Sequence, residues 1–126
     1  MEEWRMKLNI SPKVEKYLLE NRLVDNRRIW CYAHMKAIMK LQEEPVKLYG
    51  LALVCINHDT LFLYNAERNS TALELGYTCK LSEMQDVCVK KIYFGLRRIL
   101  SFSKGEEHFQ LEMDEWKRFA EVFEKV

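Results

Sequence analysis

The sequence has almost no excess charge of either sign: 20 lysines and arginines face 19 acids, a formal net charge of +1 over 126 residues. Modules committed to duplex DNA carry a marked basic surplus, so this balance argues against nucleic acid and leaves only local basic patches to weigh. Long apolar runs are missing as well. The longest, Leu48 to Ile56, is about half the roughly 20 residues that a membrane-spanning helix requires. The opening Met1-Glu-Glu-Trp-Arg-Met-Lys has neither the basic nor the apolar region of a secretory signal, which predicts a cytoplasmic protein with no transmembrane segment.

Reactive constellations are equally scarce. Cys31, Cys55, Cys79 and Cys88 form no C-x-x-C pair, and none stands at ligand spacing from His34, His58 or His108, so neither metal nor disulfide is expected. Each cysteine lies in an apolar or alternating context that suits a small buried side chain. There is no G-x-G-x-x-G, no Walker-type loop and no H-E-x-x-H, and no cofactor is expected. Cys55 and His58 are close in sequence, yet a cysteine ending an apolar strand is expected to pack a core rather than attack a substrate. Catalysis therefore has no evident carrier, and an enzyme acting on a small molecule is the least favoured class.

What is present is ordinary globular material, 48% hydrophobic and 31% charged, enough for one core. No repeat, low-complexity segment or linker divides it, so residues 1–126 read as one domain: a leader and helix over 1–26, strands over 27–113, a closing helix over 114–126. Ser11-Pro12 is a helix start, and Val14, Tyr17 and Leu18 give the following helix, 12 to 22, one apolar face. Residues 28–41 fit two periods. Ile29, Cys31, Ala33, Met35, Ala37, Met39 and Leu41 alternate as in a strand, while Trp30, Ala33, Ala37, Ile38 and Leu41 also share a helical side; the unbroken alternation favours the strand.

Beyond Pro45 the strand signals are firmer. Lys47 to Ile56 and Thr60 to Asn65 form a hairpin about Asn57-His58-Asp59, and Leu73, Leu75, Tyr77, Cys79 and Leu81 alternate with mostly polar residues. Asp86 to Tyr93 follows, with Val87 and Val89 expected inward, and Gly95 allows the turn into Leu96 to Phe102. Lys104-Gly105 marks another hairpin, leading to a strand with Phe109, Leu111 and Met113. Asp114 is the expected N-cap of a helix whose stripe is Trp116, Phe119, Ala120, Phe123 and Val126.

The segments Lys47-Leu-Tyr-Gly-Leu-Ala-Leu-Val, Leu61-Phe-Leu-Tyr64 and Lys80-Leu-Ser-Glu-Met-Gln-Asp-Val87, followed by Tyr93 to Phe102, Gly105, Phe109 and a helix with Trp116 and Phe119, resemble bacterial pleckstrin-homology-like and GRAM-like domains. The likeness spans about residues 28–126. It implies a mainly β fold: a bent seven-stranded barrel of two near-orthogonal antiparallel sheets with a C-terminal capping helix, to which the N-terminal helix is an addition. Phosphoinositide-binding members carry a basic pattern in the first hairpin. Here the corresponding loop, 39–47, contains Glu43 and Glu44, which repel an anion and disfavour that ligand.

Two surfaces remain as candidates. Lys90, Lys91, Arg97 and Arg98 flank the Tyr93-Phe94-Gly95 turn, and antiparallel pairing would bring the four cations together as a site for an acidic peptide, phosphate or anionic lipid, or simply as charges that guard a strand edge. Trp4, on its charged leader, and the strand edges suit a protein partner or a second copy. The sequence thus favours a non-catalytic binding module that contacts protein or itself, ahead of a peripheral adaptor on anionic lipid.

Overall fold

A computed structural model describes residues 11–39, 50–95 and 97–123. The Trp4 leader, the Glu43-Glu44 loop, the start of the strand expected from Lys47, Leu41 and Val126 lie outside them. The described chain is mainly β. Helix α1 (Pro12–Glu20) precedes β1 (Trp30–Met39), β2 (Leu51–Asn57), β3 (Thr60–Asn65) and β4 (Glu74–Lys80); a 3-10 turn (Leu81–Glu83) leads to β5 (Gln85–Ile92), β6 (Arg97–Lys104), β7 (Glu107–Met113) and a short α2 (Ala120–Phe123).

Ser11 caps α1 through its Oγ, which accepts from the Val14 N–H at 3.4 Å, and Pro12 opens the helix as its spacing predicts. The far end is a Schellman closure: Leu23 N–H donates to Leu18 O at 2.8 Å and Arg22 N–H to Leu19 O at 3.1 Å, with Arg22 in the left-handed region at φ 57°. The helix therefore stops at Glu20, short of residue 22. Val14 and Leu18 are fully buried against the sheet.

All seven strands are antiparallel in one sheet of order β4-β3-β2-β1-β7-β6-β5. The first strand joins two halves. Trp30 to His34 pair with β2, while Ala33 to Met39 pair with β7, so Ala33 and His34 are flanked on both sides. The alternation of 28–41 thus resolves as strand, and its faces divide: Ile29, Cys31 and Ala33 enter one core with β2, β3, β6 and β7, whereas Trp30 and Tyr32 pack with Leu53, Cys55 and Tyr64 under α1. Burial on both faces explains why β2 reads as a continuous apolar run.

The sheet is strongly curved. Four strand spacings separate β4 from β7, about 19 Å in a flat sheet, yet the Tyr77 and Phe109 rings lie 4.5 Å apart. Trp116, Phe119 and Phe123 stack with centroids 5.9–6.5 Å apart, and Trp116 and Phe119 complete the inner core.

Four local expectations are corrected. Asp114 does not cap a helix: its N–H pairs with Tyr32 O at 2.9 Å and its carboxylate is held by Arg68 and Arg97, so turns intervene before Ala120. Bulges break two alternations. Opposite Leu63 and Tyr64 the register skips Gly76, so Leu75 leaves the face of Tyr77 and is 50% exposed. Between Gln85 and Cys88, where Asp86 has φ 54°, the same effect leaves Val87 43% exposed while Val89 still packs inward. Cys88 is also exposed, unlike Cys31, Cys55 and Cys79.

A polar clamp fixes the β2–β3 turn. Asp25 accepts from His58 N–H at 2.7 Å and from Arg27 Nη2 at 2.8 Å, and Arg27 Nη2 donates on to His58 O at 2.7 Å, where His58 has φ 57°. The Arg27 guanidinium and these amide donors hold the Asp25 carboxyl well below its usual range. Its stabilisation is therefore complete above the unfolded-state pKa of about 4 and fades as pH falls through the lower folded-state value. Asp25→Ala is expected to cost about 2 kcal/mol at neutral pH. Urea titrations should show the gap from the parent narrowing in acid; a gap independent of pH would contradict the assignment.

Candidate functional site

The β5–β6 turn is built on three successive left-handed residues, Tyr93, Phe94 and Gly95, at φ 53°, 58° and 87°. Glycine adopts this region freely, but each aromatic residue pays roughly 1–2 kcal/mol for it. Two hydrogen bonds hold the conformation: Gly95 N–H donates to Ile92 O at 3.1 Å, and Arg98 Nη1 donates to Gly95 O at 2.6 Å. The rings gain no burial in return. Tyr93 is 61% exposed and Phe94 fully so.

Pairing sorts the four basic residues into different jobs. Lys91 stands opposite Arg98, Lys90 opposite Ile99, and Ile92 opposite Arg97. Because strand neighbours alternate faces, Lys91 and Arg98 share one side of the ribbon while Lys90 and Arg97 lie on the other. Lys90 and Lys91 are exposed, and neither has a carboxylate at ion-pair distance among the described residues. Arg98 braces the turn.

Arg97 is committed to carboxylates on the outer face of the sheet. Its Nη1 meets Glu112 Oε2 at 3.1 Å and Asp114 Oδ1 at 2.9 Å. Asp114 Oδ2 also takes Arg68 at 2.5 Å, and Glu112 Oε1 takes Lys36 at 3.4 Å. Arg68 lies 5.1 Å above the Tyr32 ring, whose hydroxyl accepts from Asn69 N–H at 2.9 Å. Among the described residues, three cations against two carboxylates leave this outer-face network at +1. The four basic residues foreseen as one group are thus two solvent-facing lysines, one brace and one structural ion pair.

Other chemistry-bearing groups have structural partners. Ser103 and His108 pair across β6 and β7 with Oγ to Nδ1 at 2.7 Å, a nucleophile and base at working distance that sequence spacing did not single out. Among the described residues, no carboxylate orients the other ring nitrogen, and the serine is buried. Burial pushes the Cys31 thiol up to about 12 and raises Cys55 well above its usual value, which keeps both protonated and unreactive. Cys55 faces the core under α1 while His58 sits in the turn, so they do not converge.

No group of three His, Cys, Asp or Glu that could hold a metal occurs among the described residues, and no helix there is long and apolar enough to cross a membrane. A surface groove of about 480 Å³ beside the β3–β4 connection is lined by residues that include Glu67, Ser70 and Glu74. The fold thus defines a mainly β domain of seven antiparallel strands. Compared with known proteins, the chain matches no family model, no curated protein and no solved structure.

Proposed function

We propose that the chain is a non-catalytic interaction module with a pleckstrin-homology-like fold, and that the β5–β6 end is its contact surface. The observation that carries this reading is the placement of exposed apolar groups: of the four large exposed hydrophobics among the described residues, Leu75, Val87, Tyr93 and Phe94, three lie on β5 and its turn. The barrel of two near-orthogonal sheets is supported by the strand order, by β1 dividing its pairing between β2 and β7, and by the ring contact across the curvature. The capping role of the C-terminal segment is supported by the burial of Trp116 and Phe119.

Among the described residues, two other surfaces foreseen for a partner are occupied or defended. Helix α1 spends its apolar face on its own sheet, and the β5 edge carries a bulge and two lysines, both features that discourage strand addition. A protein partner or second copy would therefore engage the tip rather than the edge. Substituting Tyr93 and Phe94 together by serine is expected to abolish association, whether read as mass by light scattering or as a partner retained in a pull-down. Association that survives the double substitution places the contact elsewhere and removes the reading.

A further inference from the structure

Four side chains at the free end of the β5–β6 ribbon are exposed: Lys90, Lys91, Tyr93 and Phe94. The lysines have no acidic partner among the described residues, and the rings stand in solvent at the apex of a convex turn. A stable protein interface covers about 800 Å² on each partner, so two side chains on a tip serve a protein only as part of a wider contact. The strand edge that would enlarge the contact is interrupted at Asp86. A bilayer interface asks for neither a complementary pocket nor a broad face, because lipid rearranges around whatever enters it.

The spacing suits such a surface. Aromatic rings settle at headgroup depth, and lysines are drawn to anionic lipid. Lys91 and Lys90 precede Tyr93 by two and three residues, about 7 and 10 Å along a strand. Insertion of the rings by roughly 5–10 Å leaves both ammonium groups level with the phosphates. Since the two lysines project from opposite faces of β5, they flank the hairpin on both sides. Arg97 adds little to this attraction, being neutralised by Glu112 and Asp114, while Arg98 holds the tip in shape.

We infer that the Tyr93-Phe94 tip, flanked by Lys90 and Lys91, is an insertion loop for an anionic bilayer surface. The inference rests on the β5–β6 end being the contact surface, and it names the partner as lipid. Co-sedimentation of the full chain with phosphatidylcholine vesicles, with and without phosphatidylserine, tests it at low and high salt. Binding should require phosphatidylserine and weaken as salt rises. Phe94→Ser should lower the partition coefficient roughly ten- to a hundredfold, and Lys90→Ala or Lys91→Ala about fivefold each. Phe94→Trp should restore binding, since tryptophan favours the same depth.

Binding that ignores lipid charge, that survives Phe94→Ser, or that inorganic phosphate alone displaces would overturn the inference. A chain that leaves vesicles unbound yet self-associates through Phe94 overturns it while the contact surface stands. A strict monomer with neither vesicle binding nor a retained partner removes both. Phe94→Ser should melt with the parent, because the ring touches no core residue; if it does not, the Lys90→Ala and Lys91→Ala results decide.

Discussion

Replacing Phe109 by alanine is expected to cost about 3–5 kcal/mol, a large share of the roughly 5–15 kcal/mol that holds a domain together. The ring is 1% exposed, stacks on Phe102 at 4.9 Å and meets Tyr77 at 4.5 Å. It joins its own strand to β6 and, across the curvature, to β4. A cavity there opens between strands held apart by their hydrogen bonds, so the walls cannot close over it and the loss should fall in the upper part of the range. Equilibrium urea unfolding followed by circular dichroism measures the change. Phe109→Leu, which keeps most of the apolar volume, should recover at least half of it. A loss below about 1.5 kcal/mol for alanine would mean that β4 and β7 do not share a core.

The second large effect is expected at Asp114. Its side chain is 1% exposed, with one carboxylate oxygen on Arg68 and the other on Arg97. Removing one partner of a buried pair costs about 3–5 kcal/mol when the other is left without solvent. Here the arginine side chains are 40% and 36% exposed and can take up water, so Asp114→Ala should cost about 3 kcal/mol, the lower limit. Urea unfolding again gives the number, and because the carboxylate is enclosed, added salt should change it little. Asp114→Asn should fall between parent and alanine. The substitution also releases Arg97 beside the basic turn, so folded Asp114→Ala protein should bind phosphatidylserine vesicles more tightly than the parent. Weaker binding by a folded variant would show that the ion pair positions the turn instead.

Local patterns foretold the elements well where one force decided them. The Ser11-Pro12 start, the hairpin at His58-Asp59 and the aromatic stripe of Trp116, Phe119 and Phe123 all follow from capping, turn chemistry or periodicity. Alternation failed at Leu75 and Val87, because a bulge inserts a residue without leaving a hydrophobic signature. Asp114 was read as a cap because a cap is a local device, and its real partners, Arg68 and Arg97, are brought to it only by the sheet. The candidate site was half legible: the lysines and arginines were visible as a group, but their division into free, bracing and paired residues depends on strand faces and on Glu112 and Asp114. Tyr93 and Phe94 had one faint signal, two aromatics inside a glycine turn where the strand pattern offers them no inward position.

The divided loyalty of β1 also sets the order in which the molecule can assemble. Its early residues meet β2 soon after both leave the ribosome, and α1 covers that first hairpin from outside. Its other edge must wait for the last strand, when Met39 reaches His108 and Ala33 reaches Met113. Contacts so distant along the chain form slowly. Until they close, the inner faces of Cys31, Val54 and Leu61 lack the cover that β6 and β7 supply, and apolar surface left open in this way favours aggregation.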